Sequence, residues 1–170
     1  MQGEDFVLTI DRWVKDIDQY HFDQLCIQPK DDSWSLGQVC IHLITSTHYF
    51  FSQISICTSN NENADKAMSK NAISMFQNNA FPDIIIKGPK SNDDTRQSTS
   101  KEEIITSFEK LKMDVISLTK QISNSNYNGK TKHPGLHYFN AHEWLQFAFM
   151  HFKYHSRQKN RIEAYLKTKE

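Results

Sequence analysis

The stretch WLQFAFMHFKYHSRQKNRIEAY, Trp144–Tyr165, predicts the helix around which the rest of the chain folds. Alternate steps of four and three residues trace the face that such a helix turns toward a bundle core. That face consists of Trp144, Ala148, His151, His155, Gln158, Ile162 and Tyr165. Its ends are apolar or aromatic, whereas its middle holds two imidazoles and an amide. Because buried polar groups cost free energy unless they find partners, the two rings require partners inside the fold, and a metal ion is the sharpest candidate.

Three amphipathic segments earlier in the chain predict three more long helices, and therefore an all-α fold. The first predicted helix covers about residues 4–25. The second and third begin after Ser35 and Ser100, because each serine is followed three residues later by Gln or Glu, the pattern of a capping box. Asn140 marks the start of the fourth helix in the same manner, and that helix runs to about residue 167. These elements predict a four-helix bundle.

A long crossover joins the second and third predicted helices over residues 58–100, where the apolar pattern weakens. A short helix fits between residues 64 and 77. The apolar segment Phe81–Ile86 has no partner strand, so we expect an extended crossover whose isoleucines pack over the bundle. Residues 91–100 are polar, which predicts a mobile connection.

The composition excludes several classes of protein. At 170 residues, we expect residues 1–170 to form one domain with a substantial core. Lys plus Arg equals Asp plus Glu at 20 each, and a formal net charge of zero argues against a dedicated nucleic-acid binder. No run of about 20 apolar residues is present, so no membrane span is predicted. The three cysteines are widely spaced and form no C-x-x-C pair, which predicts a reduced, cytoplasmic protein.

A third histidine, His42, belongs to the second predicted helix, on the stripe beside its core face. One interpretation takes His42, His151 and His155 as three neutral imidazole ligands of one divalent metal. Three protein ligands leave coordination positions open for water or substrate, as in catalytic metal sites, where the ion activates water or a thiolate. The other interpretation is three core histidines satisfied by hydrogen bonds to Gln158, Tyr49 or backbone groups. The residues alone leave both interpretations open.

Other histidines fit metal sites less well. His142 begins an H-E-x-x-H pattern, but Gln146 stands where the second histidine is required, so a zincin helix is not supported. His133 and His137 lie in a segment with Pro and Gly and are predicted to be exposed in a loop.

Two motifs together resemble the DinB-like superfamily, including its YfiT-type metal-dependent hydrolases. The first is WSLGQVCIHL at residues 34–43, which is similar to the family pattern W-S-x-x-[QE]-x-x-x-H-L on the second helix. The second is a loop containing Pro134 and Gly135, followed by H-x-x-x-H-x-x-Q at residues 151–158. The order and spacing of these motifs, with the helix pattern, cover essentially the whole chain.

The resemblance implies a four-helix bundle of the DinB and YfiT type, with a long crossover and often a homodimeric assembly. It implies a divalent metal ion, zinc or nickel, held by His42, His151 and His155. The implied function is a metal-dependent hydrolase, or a transferase in which the metal activates a low-molecular-weight thiol, acting on a small-molecule substrate. We expect Gln158 to orient a ligand and Tyr49 to face the cavity. The general base is unassigned.

The alternative function belongs to another class. A non-catalytic bundle would bind a small ligand or a partner subunit, with the three histidines as a structural or vestigial metal site. The fourth predicted helix carries apolar residues around much of its girth, which is typical of a helix covered on several sides, including by a second copy of the chain.

Overall fold

The computed structural model describes residues 2–86, 92 and 94–169. The described chain is mostly helical, with one small hairpin. In chain order its elements are α1 (Gln2–Asp18), α2 (Phe22–Leu25), α3 (Leu36–Cys57), α4 (Lys70–Gln77), α5 (Lys101–Asn124), β1 (Thr131–His133), β2 (His137–Phe139) and α6 (Ala141–Leu166). Within these described ranges, no helix has both the length and the apolar character needed to cross a membrane.

The core lies between the four long helices. α3 packs on α6 and on α5, while α1 packs on α5 and α6. Phe152 of α6 is fully buried at the centre, with its ring 5.2 Å from Phe6 and 6.0 Å from Trp13, both of α1. Phe108 of α5 lies 5.8 Å away on another side. One aromatic side chain therefore joins three helices.

Local capping sets where the long helices begin. At α3, Ser35 Oγ accepts from the N–H of Gln38 over 3.2 Å, and the Gln38 side chain accepts from the N–H of Ser35 over 3.0 Å. Asn140 and Glu143 make the same reciprocal pair at α6. Ser100 caps α5 as predicted, but the carboxylate three residues later bonds the amide that precedes the cap. The predicted starts of these three helices are confirmed.

The first predicted helix is shorter than expected, because α1 ends at Asp18 and α2 follows after a turn. The N–H of His21 donates to the Gln24 side chain over 2.8 Å and so helps to start α2. Tyr20 and Leu25 are both buried, although five residues in a continuous helix would set them about 140° apart. The break lets both side chains face the core.

The loop predicted before α6 is instead a β-hairpin, in which Thr131 pairs with Phe139 and His133 pairs with His137. His137 has φ 70, the left-handed conformation that the tight connection requires. An isolated bridge also joins Met68 to His137. Phe139 is fully buried by the hairpin, which anchors the entry to α6.

The crossover differs from its prediction in one respect. α4 lies within the predicted short helix, and no strand forms over residues 81–86 of the described chain. However, the isoleucines do not pack over the bundle, since Ile84, Ile85 and Ile86 are 64%, 92% and 42% exposed. Phe81 is the buried member of this segment. The expectation failed because an aromatic side chain, and not the isoleucine run, provides the contact.

The polar end of the crossover is anchored where it is described. Thr95 O accepts from the Gln38 side chain over 2.7 Å, and the Gln97 side chain accepts from Ser35 Oγ over 2.8 Å. Ser98 is buried. Thr95 and Gln97 therefore bond the start of α3, one through its carbonyl and the other through its side chain, and the mobility of this connection stays a prediction. Residues 91 and 93 of the same prediction lie outside the described residues.

A buried charge lies on another face of α6. Lys159 is 6% exposed and forms ion pairs with Asp16 of α1 and with Glu163, the latter at 3.2 Å. Its ammonium also lies 5.6 Å from the centre of the Trp13 ring. Paired in this way, the lysine helps to fix α1 against α6.

Candidate metal centre

The packing of α3 on α6 brings three histidines together. Nε2 of His151 lies 3.2 Å from Nε2 of His42 and 3.1 Å from Nε2 of His155. All three offer a ligand atom within 4.8 Å of one another. Each side chain is buried. The one-turn spacing on α6 places two of the rings on one face, and α3 supplies the third across the helix interface.

The three imidazoles cannot satisfy one another through hydrogen bonds alone. Nδ1–H of His155 donates to Oε1 of Gln158 over 2.8 Å, so Nε2 of His155 carries a lone pair. Nε2 of His151 faces both neighbours and holds either one proton or one lone pair. A proton points at only one neighbour, and a lone pair repels that of His155. A cation among the three nitrogens satisfies all of them.

Two of the three separations between the nitrogens match a tetrahedral metal site. Zinc binds imidazole nitrogen at about 2.0–2.1 Å, which places two nitrogens of a tetrahedron roughly 3.3 Å apart. The separations of 3.2 and 3.1 Å lie close to that value. The three histidines therefore fit a divalent ion. Their all-imidazole donor set suits zinc, nickel, iron or copper, and three protein ligands leave a coordination position open.

Burial keeps the three rings neutral near pH 7. Burial lowers the pKa of His42 to about 4, with the neighbouring charge of His155 as a lesser cause. Burial likewise holds the pKa of His151 well below its ordinary value of 6.5, and the charges of the other two rings act in the same direction. The pKa of His155 is also lowered by burial, although the hydrogen bond to Gln158 opposes this. Neutral imidazole is the form that binds metals.

We expect the metal-free protein to lose stability on acidification between about pH 6.5 and pH 4. In that window the unfolded chain protonates its histidines, while folded His42, with a pKa of about 4, stays neutral. The unfolded state binds more protons in this window. The free energy of unfolding therefore decreases as the pH is lowered, by up to about 1.4 kcal/mol per pH unit for each buried ring. Urea titrations at about pH 7.5, 5.5 and 4.5 measure this slope.

His133 provides a control for that slope outside the triad. Burial lowers the pKa of His133 to about 4 as well, but its side chain is only half buried, and solvent screening reduces its share. We therefore expect His133→Asn to flatten the slope slightly and His151→Ala to flatten it more. A free energy of unfolding that stays constant or rises on acidification would contradict the neutral, buried state of the rings.

Gln158 and Tyr49, the two residues predicted to assist the metal ligands, differ in their surroundings. Gln158 contacts the triad directly through its hydrogen bond to His155. Tyr49 is 47% exposed, and its ring contacts Phe50 and Trp144 at 6.0 and 6.1 Å. The role of Tyr49 at the cavity stays a prediction.

The predicted exposure is confirmed for His137 and wrong for His133. The hairpin folds His133 back onto α6, where its ring lies 5.0 Å from Phe147 and 5.8 Å from Trp144. Gly135 N–H donates to its Nδ1 over 3.1 Å. His133 is therefore part of an aromatic cluster beside the hairpin, and it does not belong to the group of three.

Each imidazole of the triad contacts at least one aromatic side chain. The distances between ring centres are 4.9 Å for Trp34 and His42, 5.5 Å for Phe50 and His151, 6.0 Å for Phe81 and His151, and 5.1 Å for Tyr154 and His155. None of these four aromatic residues was predicted to lie at the site. Trp34 and Tyr154 lie near His42 and His155 in the sequence, and that nearness was a signal for their place at the site. No local pattern fixes the path that brings Phe81 to the triad.

The comparisons with known proteins agree with this arrangement. The model of the DinB superfamily matches residues 6–158, a range that includes all three histidines. No curated protein and no solved structure matches the chain. The family match spans well over half of the sequence, and the two motifs that resemble this family meet in space at the triad. The chain belongs to the DinB superfamily.

Proposed function

We propose that this protein is a metal-dependent enzyme built on a four-helix bundle of the DinB and YfiT type, with a long crossover between α3 and α5. His42, His151 and His155 would hold the ion. The observation that carries the proposal is the convergence of three Nε2 atoms, two pairs of which lie 3.1–3.2 Å apart, on rings that burial keeps neutral. We further propose zinc or nickel as the metal, and a cytoplasmic homodimer as the assembly.

The three histidines and Gln158 would have different roles at the metal site. The three imidazoles supply neutral donors, so the site has the full charge of the bound ion. Gln158 holds the Nδ1 proton of His155 and thereby directs the lone pair of that ring inward. A divalent ion bound there supplies Lewis acidity that lowers the pKa of a coordinated water or thiol. Among the described residues no carboxylate joins the three histidines, so the group of ligands does not itself supply a general base.

This donor set suits two reaction classes. Hydrolysis requires an activated water, and transfer to an electrophile requires a thiolate, which in this proposal is a low-molecular-weight thiol. Both deliver an anionic nucleophile to a cationic site without a protein carboxylate. We propose one of these two activities on a small-molecule substrate.

A non-catalytic metal site is the second candidate, and the burial of the triad favours it. His42, His151 and His155 are only 9%, 8% and 7% exposed. Structural metal sites are closed, whereas catalytic sites keep an open position. In that case the ion would stabilise the contact between α3 and α6, and the protein would bind a small ligand or a partner subunit.

Metal content tests the proposal first. Protein purified without added metal is expected to contain about one divalent ion per chain, or to bind one on titration. Assays of the loaded protein against ester and amide substrates, and against activated electrophiles with several thiols, then separate hydrolysis from transfer. A lack of metal in the purified protein, with no binding on titration, would overturn the proposal. Bound metal that raises the melting temperature without any turnover would favour the structural candidate.

A further inference from the structure

Tyr154 connects the crossover to the triad. Its hydroxyl accepts from the N–H of Ile86 over 2.9 Å and donates to the carbonyl of Ile84 over 3.1 Å. Its ring centre lies 5.5 Å from Phe81 and 5.1 Å from His155. One side chain therefore contacts a candidate metal ligand and also binds the backbone of the segment beside it.

The crossover has a charged anchor at this point, an exposed ion pair between Asp83 and Arg157 of α6. Its three isoleucines are exposed, so their burial does not hold the segment in place. Phe81 is buried and packs 5.0 Å from Phe147 and 6.0 Å from His151. At the far end of the segment, the two hydrogen bonds to Tyr154 take over this role. The position of Phe81–Ile86 beside the triad therefore depends on Phe81 and Tyr154, together with the exposed ion pair of Asp83.

The surroundings of the triad are aromatic. Phe81 contacts His151 and Tyr154 contacts His155. Trp34 lies 4.9 Å from His42. A ligand at an open coordination position would lie near these rings. An apolar body gains contact with them, whereas a charged or strongly polar body loses hydration without finding a partner.

We propose that Tyr154 is a specificity-determining residue. By holding Phe81–Ile86 beside the triad, it completes an aromatic wall that selects ligands in which an apolar body adjoins the metal-binding group. This inference rests on the proposed metal site. It adds the class of ligand that the site prefers and names the side chain that maintains the preference.

Two hydroxamates test this preference, because they share one metal-binding group and differ in their apolar body. With the Co²⁺-loaded protein, absorption titrations are expected to show tighter binding of benzohydroxamate than acetohydroxamate by about tenfold or more, a typical discrimination for apolar pockets. Tyr154→Phe keeps the ring and removes both hydrogen bonds. We expect this variant to lose most of the preference, while its affinity for Co²⁺ stays within about twofold of the unsubstituted protein. Hydrogen exchange at the Ile86 amide should become faster, even without metal.

Tyr165→Phe is the matched control, since it makes the same substitution on the same helix in a half-buried residue away from the triad. It should retain both the preference and the slow exchange. Equal binding of the two hydroxamates to the unsubstituted protein, or a preference that survives Tyr154→Phe, would overturn the inference and leave the metal site standing. A loss of Co²⁺ affinity in Tyr154→Phe would also overturn it. Failure of Co²⁺ to bind the unsubstituted protein would overturn the proposed function and this inference together.

Discussion

His151→Ala is expected to weaken divalent-metal binding by more than about 100-fold, since residues that merely orient a ligand are already worth 10–100-fold. His151 is the central member of the triad, because its Nε2 lies 3.2 Å from that of His42 and 3.1 Å from that of His155. Without it, the remaining two nitrogens form an incomplete site. Competition against a chromophoric chelator at fixed pH measures the change in Kd.

Two further variants make this result specific. His42→Ala should cause a loss of similar size, although His42 lies on a different helix. His48→Ala is the control, because His48 is exposed on the same helix as His42. A metal affinity that survives His151→Ala would show that the ion is held by other donors.

Phe152→Ala should lower the free energy of unfolding by about 3–5 kcal/mol, the usual cost of truncating a buried aromatic side chain. Phe152 is fully buried and contacts Phe6, Trp13 and Phe108. Its removal takes away apolar burial and leaves a cavity among three helices that cannot close without moving α1 or α5. Urea unfolding of the metal-free protein measures the difference without a contribution from metal binding.

Met113→Ala is the control for Phe152→Ala. Met113 lies on α5 but is 62% exposed, so its truncation should change the free energy of unfolding by no more than about 0.5 kcal/mol. A cost below about 1 kcal/mol for Phe152→Ala would mean that the core between α1, α5 and α6 is looser than the structure describes.

The parts of the fold that local chemistry determines were predictable. Capping boxes involve residues three positions apart, so the starts of α3 and α6 follow from Ser35 and Asn140. The same locality places His151 and His155 on one face of α6. The inclusion of His42 requires the packing of α3 on α6, which the periodicity of neither helix specifies. The residues alone left that grouping open, and the family resemblance favoured it.

Non-local contacts account for the differences from the sequence analysis. The hairpin depends on pairing between Thr131 and Phe139. Its strands have three residues each, which is too short for an alternation of polar and apolar residues to predict them. The exposure of Ile85 follows from the path of the crossover over α6, which Tyr154 and Phe81 help to fix. Lys159 is buried because Asp16 arrives from another helix, 143 positions away in the chain. Such positions become evident only when the helices are packed.

The separation of the ligands along the chain has a consequence for folding. His42 and His151 are 109 positions apart, whereas His151 and His155 lie one turn apart. The pair on α6 is therefore present as soon as that helix forms, but the third donor arrives only after α3 docks, and the long loop between them must first close. An ion that requires all three donors responds to the docking of the helices and not to their formation. The rate of metal uptake during refolding thus measures the last stage of assembly.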